Sequence, residues 1–205
     1  MYSPVLRAAF NSGFVEGQNW TYNLEHTTVG AFQLLVQWLY GRTFKPFMTQ
    51  GELDSLPVEA DGLRQPGSDV YLKILDRQIN LIELWVLADY LQIPGAQNLA
   101  VDELEQIRKD WGGIAFLRLE YIYESVADGA PMRELIFEHC WRFLHPIYYQ
   151  SLPEYFPKKM LLEYFIRDKL SKQSSMHDPF TNRAEFVKRF HVPENRANSS
   201  SERSV

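Results

Sequence analysis

One stretch, Val29–Tyr40 (VGAFQLLVQWLY), constrains this chain more than any other. Phe32, Leu35, Val36 and Leu39 recur three and four residues apart, the spacing of one helical face. Leu34 and Trp38 add a second apolar row, and only Gln33 and Gln37 leave a polar stripe. A helix apolar around most of its circumference must be wrapped by other elements. Thr27 or Thr28 can cap its start, because a hydroxyl oxygen accepts from the orphan N–H groups of the first turn. Gly41 follows as a stop able to take the left-handed conformation. Just upstream, Trp20–Leu24 alternates Trp, Tyr and Leu with Thr and Asn, the pattern of a short half-buried strand. The expected centre is therefore a strand feeding a helix, with Leu24, Phe32, Leu35, Trp38 and Leu39 in the core.

Helices are expected on both sides of this centre. Ser3 and Pro4 open the first, as N-cap and first helical residue. Val5, Leu6 and Phe10 form its apolar face, for which nothing upstream supplies a cover. Phe14–Gln18 reads as a turn. Thr43–Asp69 holds three prolines, three glycines and scattered acids with no lasting period, and is expected to be a mobile acidic loop. Val70–Leu75 reads as a short strand or a lead-in. Asn80 and Glu83 resemble a capping box ahead of a helix that buries Leu84, Trp85, Ala88 and Leu91. Pro94 starts the next helix, which buries Ala96, Ala100, Leu104, Ile107 and Trp111. It turns Asp102, Glu103, Glu105, Arg108 and Lys109 to water and stops at Gly112-Gly113.

Further helices are expected at Ile114–Val126, from Pro131 to about Leu144, and from Pro157 to about Leu170. The last of these should carry Leu162, Phe165, Ile166 and Leu170 inward. Phe180–Val192 reads as a short, weakly held helix, and the end of the chain as a polar, disordered tail.

The 205 residues carry a formal charge of −5, which argues against nucleic-acid binding by bulk field. Cys140 is the single cysteine, so no intramolecular disulfide can form and a reducing compartment is the natural setting. No signal peptide and no membrane-length apolar run is evident, and the expected location is cytoplasmic or nuclear. No histidine or cysteine spacing suits zinc, no glycine-rich loop precedes a lysine, and no serine sits in an elbow motif. His139 and Cys140 are adjacent on one helix, point about 100° apart, and read as buried structural side chains. No catalytic residue, cofactor or metal is expected. Lys158, Lys159, Arg167, Lys169 and Lys172 cluster late in the chain and read as a solvated helix face.

Taken in order, four blocks resemble a known family. They are Ser3–Phe10 (SPVLRAAF), Gly13–Glu16, Tyr22–Glu25, and Phe32 through Trp38-Leu39-Tyr40-Gly41. Together they are similar to the later part of a BTB/POZ domain, in the form found in filamentous-fungal proteins. Leu84–Ile93 (LWVLADYLQI) and Asn98-Leu99-Ala100 continue the likeness. Tyr121–Glu124 and Met132–Leu135 extend it more loosely.

The resemblance implies a mostly α fold: the C-terminal portion of a BTB/POZ domain, a helical cluster with a small remnant sheet, followed by a helical extension. The division would be 1–111 for the partial domain with 43–69 as its acidic loop, 112–170 for the extension, and 171–205 for the tail. It further implies a non-enzymatic interaction module that forms homodimers or heterodimers with a complete BTB domain, or binds a cullin ubiquitin-ligase scaffold. Val5, Leu6 and Phe10 would be the interaction surface. The family's first strands and helix would precede Met1, and the acidic loop departs from the family's short connection. The other readings are a DNA-associated regulator using the basic C-terminal helix, and a truncated product with impaired folding.

Overall fold

A computed structural model describes residues 3–25, 27–54, 68–171 and 178–194. The described chain is mostly helical, with no strand. Helices α1 (Pro4–Phe10), α2 (Val15–Asn19) and α3 (Val29–Gly41) lead to the short α4 (Gln50–Asp54). The long α5 (Ser68–Tyr90) and α6 (Pro94–Trp111) follow, then α7 (Leu119–Ser125), α8 (Pro131–Phe143) and α9 (Ile147–Ser151). Helices α10 (Lys158–Ser171) and α11 (Arg183–Phe190) complete the order. One continuous set of buried apolar side chains runs from Ala31 in α3 to Phe190 in α11. It therefore crosses both boundaries, near 111 and 171, that the sequence reading draws.

The α3–α5–α6 layer holds the centre. Thr28 caps α3, its hydroxyl accepting from Ala31 N at 3.3 Å. The buried face is Ala31, Leu34, Leu35 and Trp38. Phe32 is 45% exposed and Leu39 only half-buried, because they lie about 100° around the helix from that face. The expectation of Phe32 in the core is thus corrected: α3 packs one stripe and leaves the rest of its apolar surface open. Gly30 lets α3 approach α5, since a Cβ there would lie 2.0 Å from Asn80 Oδ1. Gly41 stays helical, and Arg42 takes the left-handed turn at φ 56, its guanidinium 3.9 Å from the centre of the Trp38 ring. That contact supplies attraction to offset a conformation costly for a side-chain-bearing residue.

Leu84, Trp85, Ala88 and Leu91 are buried as expected, as are Ala96, Ala100, Leu104 and Ile107. Pro94 opens α6, and Gly112 closes it at φ 63. Asn80 and Glu83 lie inside α5 and cap nothing there. The apolar face runs unbroken through Ile74, Leu81 and Leu84, so no helix start is needed.

Four other expectations are corrected. Phe14–Gln18 falls mostly within α2. Trp20–Leu24 forms no strand and the remnant sheet is absent from the described residues, because no second segment lies alongside to share a ladder. The first part of the acidic loop is packed: Phe44 and Met48 are buried, and Lys45 N donates to Gln37 Oε1 at 2.8 Å. Residues 55–67 of that loop lie outside the described residues, as do 172–177 and 195–205 of the tail. The helix expected from Ile114 begins with a 3-10 turn at Phe116–Arg118 before α7. Pro131 opens α8 as read, burying Met132, Leu135, Ile136, His139 and Cys140.

Candidate interaction surfaces

The N-terminal flank is built from α1, α2 and the irregular chain after them. The Ser3 hydroxyl accepts from Leu6 N at 3.1 Å and donates to Leu91 O at 2.6 Å. It thus caps α1 and pins it to the turn after α5. This places Val5 and Leu6 half-buried against the core. Phe10 stacks on Trp20 at 6.2 Å between centroids and meets Tyr22 edge-on at 6.4 Å. The flank carried by Val5, Leu6 and Phe10 is therefore partly covered from within the chain. The open apolar surface lies next to it: Phe14 and Trp20 are each 76% exposed, and Val15 is 65% exposed.

Beside this flank lies a groove of about 870 Å³. One wall is Tyr22–Glu25 with Thr27 and Thr28, and the other is Glu83, Val86, Leu87 and Tyr90 of α5 with Tyr121 and Ser125 of α7. Tyr22 and Tyr90 meet hydroxyl to hydroxyl at 2.8 Å. Hydrogen bonding to Tyr90, with burial second, pushes the Tyr22 phenol up to about 12. Burial, with the Glu83 carboxylate second, pushes Tyr121 up. Glu83 receives the Thr28 hydroxyl at 2.5 Å and Arg118 Nη2 at 2.7 Å. Glu16 and Glu25 also line the groove, and no lysine or arginine does so among the described residues.

A second surface lies on α10, where the inward expectation is overturned. Leu161, Leu162, Phe165, Ile166 and Leu170 face water, with Leu162 59% and Phe165 58% exposed. The face turned to the body carries charge beside the buried Met160 and the half-buried Tyr164. Arg167 pairs with Glu138, which is fully buried on α8 and also receives Arg142 Nε at 2.6 Å and Arg189 Nη2 at 2.5 Å. Glu163 accepts from Arg133 at 2.5 Å and from the Tyr123 hydroxyl at 2.7 Å. A buried carboxylate needs charged donors, and meeting that need sets the rotation of α10. Lys159 is likewise engaged, with Asp128 at 2.5 Å. Two of the five residues of the basic cluster thus serve intramolecular pairs, and Lys172 lies outside the described residues.

The buried polar groups form structural networks. Glu105, expected on a solvated face, is 3% exposed and accepts from Arg108 through two bonds of 2.8 Å. His139 Nε2 lies 2.9 Å from it. Burial works to raise the Glu105 carboxyl, but the hydrogen bonds from Arg108 and His139 outweigh it and hold the group at about 2. Burial, outweighing the attraction of Glu105, pushes His139 down, so the neutral ring donates Nε2–H to the carboxylate. Burial also raises the Cys140 thiol well above its ordinary range, which leaves it a packed side chain without thiolate character. Among the described residues no group of three or more His, Cys, Asp or Glu could hold a metal ion, and no helix is long and apolar enough to cross a membrane.

No family model, no curated protein and no solved structure matches this chain. Of the surface named from the sequence, Phe10 meets the exposed Trp20, while Val5 and Leu6 pack half-buried against the core. Leu24 and Leu39 are half-buried beside the core, and Leu35, Trp38, Leu84, Trp85, Ala88 and Leu91 are inside it. The groove is not legible in the sequence, because its two walls are 55 residues and more apart. The only local signal was the tyrosine alternating with leucine at Tyr22 and Leu24.

Proposed function

We propose that this chain is a non-enzymatic protein–protein interaction module of the BTB/POZ type. It acts by homodimerisation, by pairing with a complete BTB domain, or as an adaptor on a cullin scaffold. The observation that carries this reading is the exposed cluster at the N-terminal flank, where Phe14 and Trp20 each leave three quarters of their surface in water beside Val15. Large apolar side chains left this open on one flank are the make-up of an association site, and aromatic side chains dominate the binding energy of such sites. The ordered sequence blocks in α1, α3, α5 and α6 support the family assignment. The association takes place in the cytoplasm or nucleus.

Light scattering across a wide range of protein concentration tests it, alone and with a BTB domain or a cullin N-terminal region added. The expected result is a mass that rises with concentration or with partner. Trp20→Asp is expected to weaken that association about tenfold or more, while the fold loses only the stacking contact with Phe10, about 0.5–1.5 kcal/mol. A constant monomer mass under every condition would count against the module.

A further inference from the structure

The groove beside the flank combines three properties that point to one kind of occupant. The first is its wall. Thr21–Leu24 belongs to no helix and no strand, and no backbone hydrogen bond ties Tyr22, Asn23 or Leu24 to another segment among the described residues. Unpaired N–H and C=O groups along a strand-forming sequence are a template for a second chain. The second property is charge. Glu16, Glu25 and Glu83 line the groove without any lining lysine or arginine among the described residues. Arg118 answers Glu83 through a 2.7 Å bond, whereas among the described residues no ion pair answers Glu16 or Glu25. The third is size and polarity: about 870 Å³, with the apolar Val86 and Leu87 and the rings of Tyr90 and Tyr121 in its lining. That volume is in the range of real ligand sites, and an apolar lining with a few convergent polar groups is their usual make-up.

We propose that this groove receives an extended, lysine- or arginine-bearing segment of a partner protein. The segment pairs its backbone with Tyr22–Leu24, buries an apolar side chain between Tyr90 and Tyr121, and sets a cation against Glu16 and Glu25. The proposal rests on the reading of the chain as an interaction module and names what that module grips. A helix would not fit the role, because its backbone groups are already spent on its own turns. An acidic segment would meet two unanswered carboxylates. The tyrosine hydroxyls supply polar contacts that tolerate varied neighbours, while their rings supply area at low entropy cost.

The test uses the full chain as bait for a display library of random linear peptides. Enriched peptides are expected to carry Lys or Arg among alternating apolar residues. Their affinity is expected to fall about tenfold or more in the Glu16→Lys, Glu25→Lys double variant, and to be unchanged in Phe165→Asp, since Phe165 of α10 does not line the groove. Methylating alternate backbone nitrogens of a selected peptide is expected to abolish binding, which a side-chain-only contact would survive. Circular dichroism checks that both variants fold, Glu25 and Phe165 being exposed and Glu16 half-buried.

Three results would overturn the proposal: no peptide enriched, enriched peptides without basic residues, or binding indifferent to the double variant and to methylation. If the groove fails while Trp20→Asp still weakens association in light scattering, the module reading stands alone. If peptides bind as described but the chain never associates, the groove stands and the flank falls.

Discussion

At the scale of single residues, Glu105 separates what is local in a sequence from what is not. Its spacing to Arg108 and Lys109 is that of an ordinary solvated helix pair, and nothing nearby in sequence contradicts that. It is buried because His139, thirty-four residues later, brings α8 onto the same face and supplies a second donor at 2.9 Å. Phe32 errs in the opposite direction: hydropathy placed it inside, and the single packed stripe of α3 leaves it out.

The buried pair has a pH consequence. His139 has a folded pKa depressed below 6.5, so below that value the unfolded chain takes up a proton that the folded chain refuses. Stability therefore falls as pH drops through about 6.5, at up to about 1.4 kcal/mol per pH unit for one proton. Glu105, held at about 2, stays ionised throughout this window and adds nothing to the slope. His139→Gln keeps an N–H for Glu105 and cannot titrate. Urea unfolding at a series of pH values is expected to show a shallower slope in the variant. Parallel slopes would mean that His139 takes up its proton equally in the folded and the unfolded chain.

At the scale of elements, α10 and α11 were the least legible. Helical periodicity finds an apolar face but not which way it turns, and the usual assumption sends it inward. In α10 the buried charges Arg133 and Glu138 claim the inward side, so Glu163 and Arg167 face the body and Phe165 faces water. In α11 a short polar-looking segment proves firmly held. Phe186 and Phe190 are buried, and Phe180 stacks on Phe190 at 5.5 Å. Arg183 grips Asp102 through two bonds of 2.7 Å, and Asn98 exchanges bonds with Val192 at 3.0 and 2.7 Å. Phe190→Ala is expected to cost about 3–5 kcal/mol in denaturant unfolding. A loss under about 1 kcal/mol would show that the segment detaches freely.

At the scale of the whole molecule, the continuous apolar core from α3 to α11 makes one folding unit the physical expectation. Helical content and tryptophan fluorescence should therefore be lost at the same denaturant concentration. Two separated transitions would restore a boundary near residue 111. Helix positions could be read because capping, proline and glycine signals are local: Ser3, Thr28, Pro94, Gly112 and Pro131 all act where they were expected to. The strand could not be settled in that way, since a ladder depends on a second segment that local patterning does not reveal.

Five indoles are distributed unevenly through this architecture. Trp38 and Trp85 are buried and Trp111 and Trp141 half-covered, while Trp20 alone is three-quarters open, within stacking distance of Phe10 and two residues before Tyr22 of the acidic groove. The molecule thus carries its own optical reporter. A collisional quencher such as iodide will extinguish the red-shifted part of the emission first, and any macromolecule that settles over this corner will shield that part and leave the interior signal untouched.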